Sequence, residues 1–173
     1  MTLTEPENFL IGEWKGQLFA LSLTCVERVV RAVEISALPH SASTYRAISN
    51  GRSIVLGIIN VQGQSVPVVD ISAYFNWPDQ AIGTEDFLVL LQVSQQLLAL
   101  PANQILEVVP EQAFRSTCRD AGHSIDNAEN DNASSIQSAL EEHVCIWAGH
   151  MVWSIDVADL LRRIQSILKT VPN

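Results

Sequence analysis

Gly57-Ile58-Ile59-Asn60-Val61-Gln62-Gly63-Gln64-Ser65-Val66-Pro67-Val68-Val69-Asp70-Ile71 is the stretch on which the reading of the whole chain turns. Its two halves belong to the apolar runs Ile54 to Val61 and Ser65 to Ile71, and the break between them is Gln62-Gly63-Gln64. Two β-branched runs around a Gly-containing break predict two strands of a hairpin. Pro67 has no N–H to give to a ladder, so its strand is expected at a sheet edge or bulged there. Asp70 precedes a short helical signal, Ile71 to Phe75. A carboxylate at that position can accept a hydrogen bond from an unpaired N–H of the first turn, so Asp70 is read as a helix N-cap. A phosphoacceptor would want further acids beside it, and the neighbouring residues supply none.

The same pattern repeats outward. Phe9 to Trp14 and Leu18 to Leu23 flank Lys15-Gly16-Gln17 and predict an opening hairpin. Val26, Val29, Val30 and Val33 predict a turn followed by a strand. Residues 36 to 53 are polar, with Pro39 and an Asn50-Gly51 turn signal, and read as a loop. Phe87 to Val93 and Leu97 to Val109 surround Gln95-Gln96, with Pro101 interrupting the second run. Residues 119 to 142 are acidic and rich in Asn, Asp and Ser. They hold too little apolar area to offset ordering entropy, so a flexible insertion, dispensable for folding, is expected there. Val144 to Trp147 and Met151 to Ile155 predict a last hairpin. A C-terminal helix follows, with Asp156 as N-cap, Asp159 in its first turn, and Leu160, Leu161, Ile164, Ile167 and Leu168 on one stripe. Many short strands with helices only at their ends favour antiparallel barrels over a parallel α/β sheet, which needs a helix between strands.

Composition narrows the function. Hydrophobic residues make up 47% of the 173 and aromatics 6%, so the core must be aliphatic. With 10 basic against 19 acidic residues the net charge is −9, which argues against nucleic acid and against an anionic membrane surface. The three cysteines, Cys25, Cys118 and Cys145, lie far apart and suggest reduced thiols in a cytosolic protein. The first residues show neither the basic nor the apolar region of a signal peptide, and no apolar run reaches the ~18 residues of a membrane span.

No catalytic set emerges. Phosphate-cradling glycine loops and a GxSxG elbow are missing. His40, His123, His143 and His150 make no tight metal-ligand spacing, and His143 with Cys145 reads better as a loop-end His beside a buried Cys. Glu85-Asp86 and Glu141-Glu142 read as solvated loop charges. Trp14, Trp147 and Trp153 fall in apolar runs and read as core, which leaves Trp77, between Asn76 and Pro78, as a candidate contact residue. No cofactor or metal is expected.

The stretch from Gly57 to Ile71 resembles the signature of the CheW-like domain, loosely G-[VI]-[IV]-N-L-R-G-x-[VI]-x-P-[VI]-[VI]-D-L. Gly57, Asn60, Gly63, Pro67 and Asp70 match in order. The opening hairpin, the V-x-E-[IV] element near Val26 to Val29, the strand around Leu97 to Val109 and the closing hairpin and helix are also similar. The resemblance covers roughly residues 8 to 168. It implies a mostly β fold, two small packed five-stranded β-barrels with short helices and a C-terminal helix. It also implies a standalone, non-enzymatic adaptor between a CheA-type histidine kinase and a methyl-accepting chemoreceptor, cytoplasmic and recruited to receptor arrays at the membrane without inserting. An adaptor for pilus motility or surface sensing is a variant of this reading, and a small-molecule-sensing β module is the alternative class.

By that resemblance the partner surface comprises Ile59, Asn60, Val61, Gln62, Gly63, Val66 and Pro67, with Val26, Arg28 and Val29. The chain departs from the family where the motif Arg becomes Gln62. Arg28 stands at the acidic position of V-x-E-[IV], with Glu27 one residue early, and the Asp expected near Asn103 is absent. Gln cannot replace the charged, fork-shaped guanidinium.

Overall fold

The computed structural model describes residues 7–37, 48–49, 52–113 and 144–169. The 119–142 insertion, Cys118, His40, His123, His143 and the Asn50-Gly51 turn lie outside them. The strands are β1 (Asn8–Trp14), β2 (Gln17–Ser22), β3 (Val26–Arg31), β4 (Ile48–Ser49), β5 (Arg52–Ser53), β6 (Val55–Val61), β7 (Gln64–Val69), β8 (Phe87–Val93), β9 (Gln96–Ala102), β10 (Gln104–Pro110), β11 (Val144–Trp147) and β12 (His150–Ile155). The helices are α1 (Ile71–Tyr74) and α2 (Val157–Lys169).

Turn chemistry sets the local pairing. The hairpins β1–β2, β6–β7, β8–β9 and β11–β12 each turn on two residues with positive φ: Lys15-Gly16, Gln62-Gly63, Ser94-Gln95 and Ala148-Gly149. Positive φ at both centres is the type I′ geometry, whose twist matches that of paired strands. Ten of the strands assemble into two five-stranded sheets, β10-β1-β2-β12-β11 and β3-β8-β9-β7-β6, while β4 and β5 pair only with each other. Pairing is mostly antiparallel, but β12 runs parallel to β2 and β7 parallel to β9.

Alternation along the strands fills three apolar layers. Phe9, Ile11, Ala20, Val109, Cys145 and Val152 pack on one face of the first sheet. Ile59, Val66, Val68, Leu88, Leu90 and Ala99 pack on one face of the second. Between the sheets lies a shared core, with Leu10, Trp14, Phe19 and Leu21 from the first and Val69, Val89, Leu91, Leu98 and Leu100 from the second. Val157, Leu160 and Ile164 of α2 join it.

The barrel expectation is not confirmed, and several others are corrected. The ladders among the described residues close neither sheet into a barrel: β10 and β11 are edges of the first, β3 and β6 of the second. Closure needs a continuous ladder between edges, and a single bridge stands in its place. Ser36 and Ile58 exchange two 2.9 Å backbone bonds, joining the chain beyond β3 to the β6 edge. That crossing requires Gly57, because a Cβ there would press on the Ser36 carbonyl oxygen and stand 2.6 Å from Ile35 Cγ2.

Pro67 is neither on an edge nor at a bulge, since β7 lies between β6 and β9. The β7–β9 ladder has only the pair Val68–Ala99, so the missing N–H is not needed there. The run Leu97 to Val109 is two strands in different sheets, with Asn103 at the crossing. Cys145 is disulfide-bonded, against the expectation of reduced thiols, while Cys25 is free. Trp77 is buried against Phe75, with ring centroids 5.1 Å apart, and belongs to the shared core, so the loop residue expected at the surface is a packing residue.

Candidate functional site

The motif hairpin presents a short polar tip on a buried base. Asn60 accepts a 2.8 Å bond at Oδ1 from the Gly63 N–H, closing the turn and leaving Gln62 exposed at φ 53°. Below the tip, alternation decides each residue's fate. Ile59 and Val66 are 3% and 0% exposed and pack in the second sheet's inner layer, so neither can touch a partner. Their β-branched side chains face inward because they form a directly opposed pair on one face of the ladder. Val61 is half-buried against the same layer, while Pro67 is half-buried on the opposite face. Of the expected surface, Asn60, Gln62 and Gly63 are exposed, with Val61 and Pro67 partly so.

The β3 element lies at the other edge of the same sheet. Val26 and Arg28 are half-buried, and Val29 is 36% exposed. A register shift between Val26 and Arg28 marks a bulge, which re-aims side chains at an edge. Arg28 Nε stands 3.7 Å from Glu27 Oε1 and makes no hydrogen bond among the described residues. Val26 pairs with Leu91 near the β8–β9 turn, so it shares one end of the sheet with that turn. Because β7 runs parallel to β9, the Gln62-Gly63 tip is at this end too. The two predicted elements are thus on one end of the sheet, at opposite edges.

Asp70 does more than cap. Its Oδ1 accepts from Ser72 N at 2.9 Å, the N-cap bond of α1, and from Trp14 Nε1 at 3.0 Å. Its Oδ2 accepts from Lys15 Nζ at 2.8 Å. Both ionic side chains are almost wholly buried. Lys15 Nζ also donates to Ser72 Oγ at 2.8 Å, and Arg52 joins from the flank with bonds to Trp77 O and Asp79 Oδ1. The Lys15 N–H donates to Asn103 Oδ1 at 2.7 Å, and Asn103 Nδ2 donates to Asp86 Oδ1. The β1–β2 turn of the first sheet is therefore pinned to the motif end and crossing point of the second. Burial pushes the Asp70 carboxyl up, but donors from Lys15, from the Ser72 side chain and backbone, and from Trp14 together hold it below its ordinary value.

Sequence reading missed Lys15, because a Lys in a Gly-containing turn looks like any solvated turn residue. The only hint was its position between Trp14 and Gly16. Asp156 sits at the start of α2, where its Oδ1 accepts from Asp159 N at 2.9 Å. Among the described residues no group of three or more His, Cys, Asp or Glu side chains could hold a metal ion. No helix among them is long and apolar enough to cross a membrane.

The crystal structure of the scaffolding protein TtCheW from Thermoanaerobacter tengcongensis is similar in fold, with a TM-score of 0.60 at 18% identity over 90% of this chain and 88% of that one. No curated protein matches. The family model for the CheW-like domain matches residues 8–165, from the first strand to the C-terminal helix, and the chain belongs to that family.

Proposed function

We propose that this chain is a non-enzymatic adaptor coupling a methyl-accepting chemoreceptor to a CheA-type histidine kinase, in the cytoplasm at membrane-associated receptor arrays. The observation that carries this reading is the CheW-like match over residues 8–165, which takes in both sheets and α2. The geometry agrees with work done by binding alone. A two-sheet frame presents short hairpin tips and a partly exposed edge strand, while the Lys15–Asp70 ion pair is buried. The contact surface is Asn60, Val61, Gln62, Gly63 and Pro67, with Val26, Arg28 and Val29; Ile59 and Val66 support it from beneath.

The test reconstitutes purified receptor cytoplasmic fragments with a CheA-type kinase of the same organism and follows kinase autophosphorylation. Receptor-dependent activity should appear only when the chain is added. Equal activity with and without it would sink the adaptor reading.

A further inference from the structure

Asn103 stands where the chain leaves β9 of the second sheet for β10 of the first. Its backbone N–H donates to the Glu13 carbonyl at 2.7 Å, its Oδ1 accepts from the Lys15 N–H at 2.7 Å, and its Nδ2 donates to Asp86 Oδ1 at 2.9 Å. Asp86 is engaged on its other side too. Its Oδ2 accepts from the Gly83 N–H at 2.6 Å, and its carbonyl accepts from the Ala32 N–H, one residue past β3, at 2.9 Å. These neighbours fix the chemistry of position 103. A backbone N–H needs an acceptor, a carboxylate needs a donor, and a carboxamide is both. An aspartate would accept from Lys15 equally well, but it would set a second carboxylate against Asp86.

All of these contacts lie at one end of the second sheet. There β7 runs into Asp70, β9 ends at Ala102, β3 ends at Arg31 and β8 begins at Phe87. The Gln62-Gly63 tip and Val26 lie at the other end, about 20 Å away at the usual rise of a strand. The β1–β2 turn of the first sheet holds this base at two points. Lys15 Nζ grips Asp70 below the motif hairpin, and the Lys15 N–H reaches β8 and β3 through Asn103 and Asp86. Hydrogen-bonded strands move together, so a tilt at the base becomes a displacement at the tips. We propose that Asn103 is a positioning residue for the partner surface: its carboxamide sets how the base of the second sheet sits on the β1–β2 turn, and so where the motif tip stands relative to β3. The proposal rests on the adaptor reading and adds a residue that acts without touching the partner.

The experiment exchanges the two side chains. Asn103→Asp keeps an acceptor for the Lys15 N–H and opposes two carboxylates. In Asn103→Asp/Asp86→Asn the donor and acceptor trade places, the Gly83 N–H keeps its acceptor, and the net charge is unchanged. Asn103→Ala removes both side-chain bonds without adding a charge, and keeps the test open if Asn103→Asp does not fold. Backbone amide spectra of the whole chain are read together with the reconstituted kinase assay, titrated with each variant below its thermal midpoint. Both single variants should move the amide signals of Val26, Gln62 and Gly63. They should also raise the chain concentration for half-maximal receptor-dependent activity about tenfold. The double exchange should return the signals, and bring that concentration to within about twofold of wild type. Lowered thermal midpoints with the three signals unmoved would make Asn103 a stabilising residue only and overturn the proposal. Moved signals with unchanged activity would overturn it as well, and so would a double exchange no better than the single variants. Wild type without receptor-dependent activity would sink the adaptor reading itself, and the proposal with it.

Discussion

At the residue scale, Asp70 and Gln62 show how little a side chain's identity says without its surroundings. As a surface cap, Asp70 would cost about 1 kcal/mol on replacement by Ala. Paired in the core with Lys15, it is worth more, because its loss leaves a buried cation only the Ser72 hydroxyl and the exposed Asp79 carboxylate 3.7 Å away. Asp70→Ala, and likewise Lys15→Met, should lower unfolding free energy by roughly 3–5 kcal/mol. The combination Lys15→Met/Asp70→Ala should lose less than the sum, since neither buried charge remains. Urea denaturation of the set checks this; additive losses would show that the two side chains do not act as a pair. The pH dependence follows from the lowered carboxyl pKa. The pair's stabilisation is full at neutral pH, starts to fade as pH falls below the ordinary value of 3.8, and is gone once the folded carboxyl is protonated. Acid unfolding of wild type should therefore lose this contribution only below that value, and Asp70→Asn should lack it throughout. Gln62 carries the opposite lesson. A charge-assisted hydrogen bond is worth about 1.5–3 kcal/mol against about 0.5–1.5 for a neutral one. Gln62→Arg should leave partner affinity unchanged or weaken it, as read by calorimetry. A clear gain would mean that an acidic acceptor waits on the partner.

At the element scale, the hairpins are the units that local sequence specifies. Three of the four two-residue turns have Gly at the second centre, but Ser94-Gln95 has none, and holds two side chains at φ 49° and 67°. Left-handed backbone is unfavourable for residues with a Cβ. Gln95→Gly should therefore stabilise the protein by about 0.5–1 kcal/mol, seen as a raised thermal midpoint with no change in denaturant slope. A loss of stability would show that the Gln95 side chain makes contacts that outweigh the strain.

At the scale of the whole molecule, the shared core makes the two sheets one thermodynamic object. Leu98 and Leu100 of β9 are buried in the same cluster as Trp14 and Phe19 of the other sheet, and α2 covers that cluster. Unfolding should be a single transition, with far-ultraviolet dichroism and tryptophan fluorescence coincident. Leu100→Ala should shift both probes together and cost about 2–5 kcal/mol. Two separated transitions would mean that the sheets are independent units joined only by the chain.

What the sequence determined by itself was local. The strands of each hairpin, the turn at Gln62-Gly63, and the caps at Asp70 and Asp156 are encoded within a few residues, where alternation, turn preference and capping act. Tertiary structure decided what depends on distant partners. It divided Leu97 to Val109 between two sheets at Asn103. It turned Ile59 and Val66 inward, and it buried Trp77. It also took Lys15 from an apparent surface turn into the core, 55 positions from Asp70 and 88 from Asn103 along the chain. The reason is physical: a strand's pattern gives two faces, but only the packing of another layer decides which is covered. A charged side chain belongs inside only when the fold delivers its counter-ion.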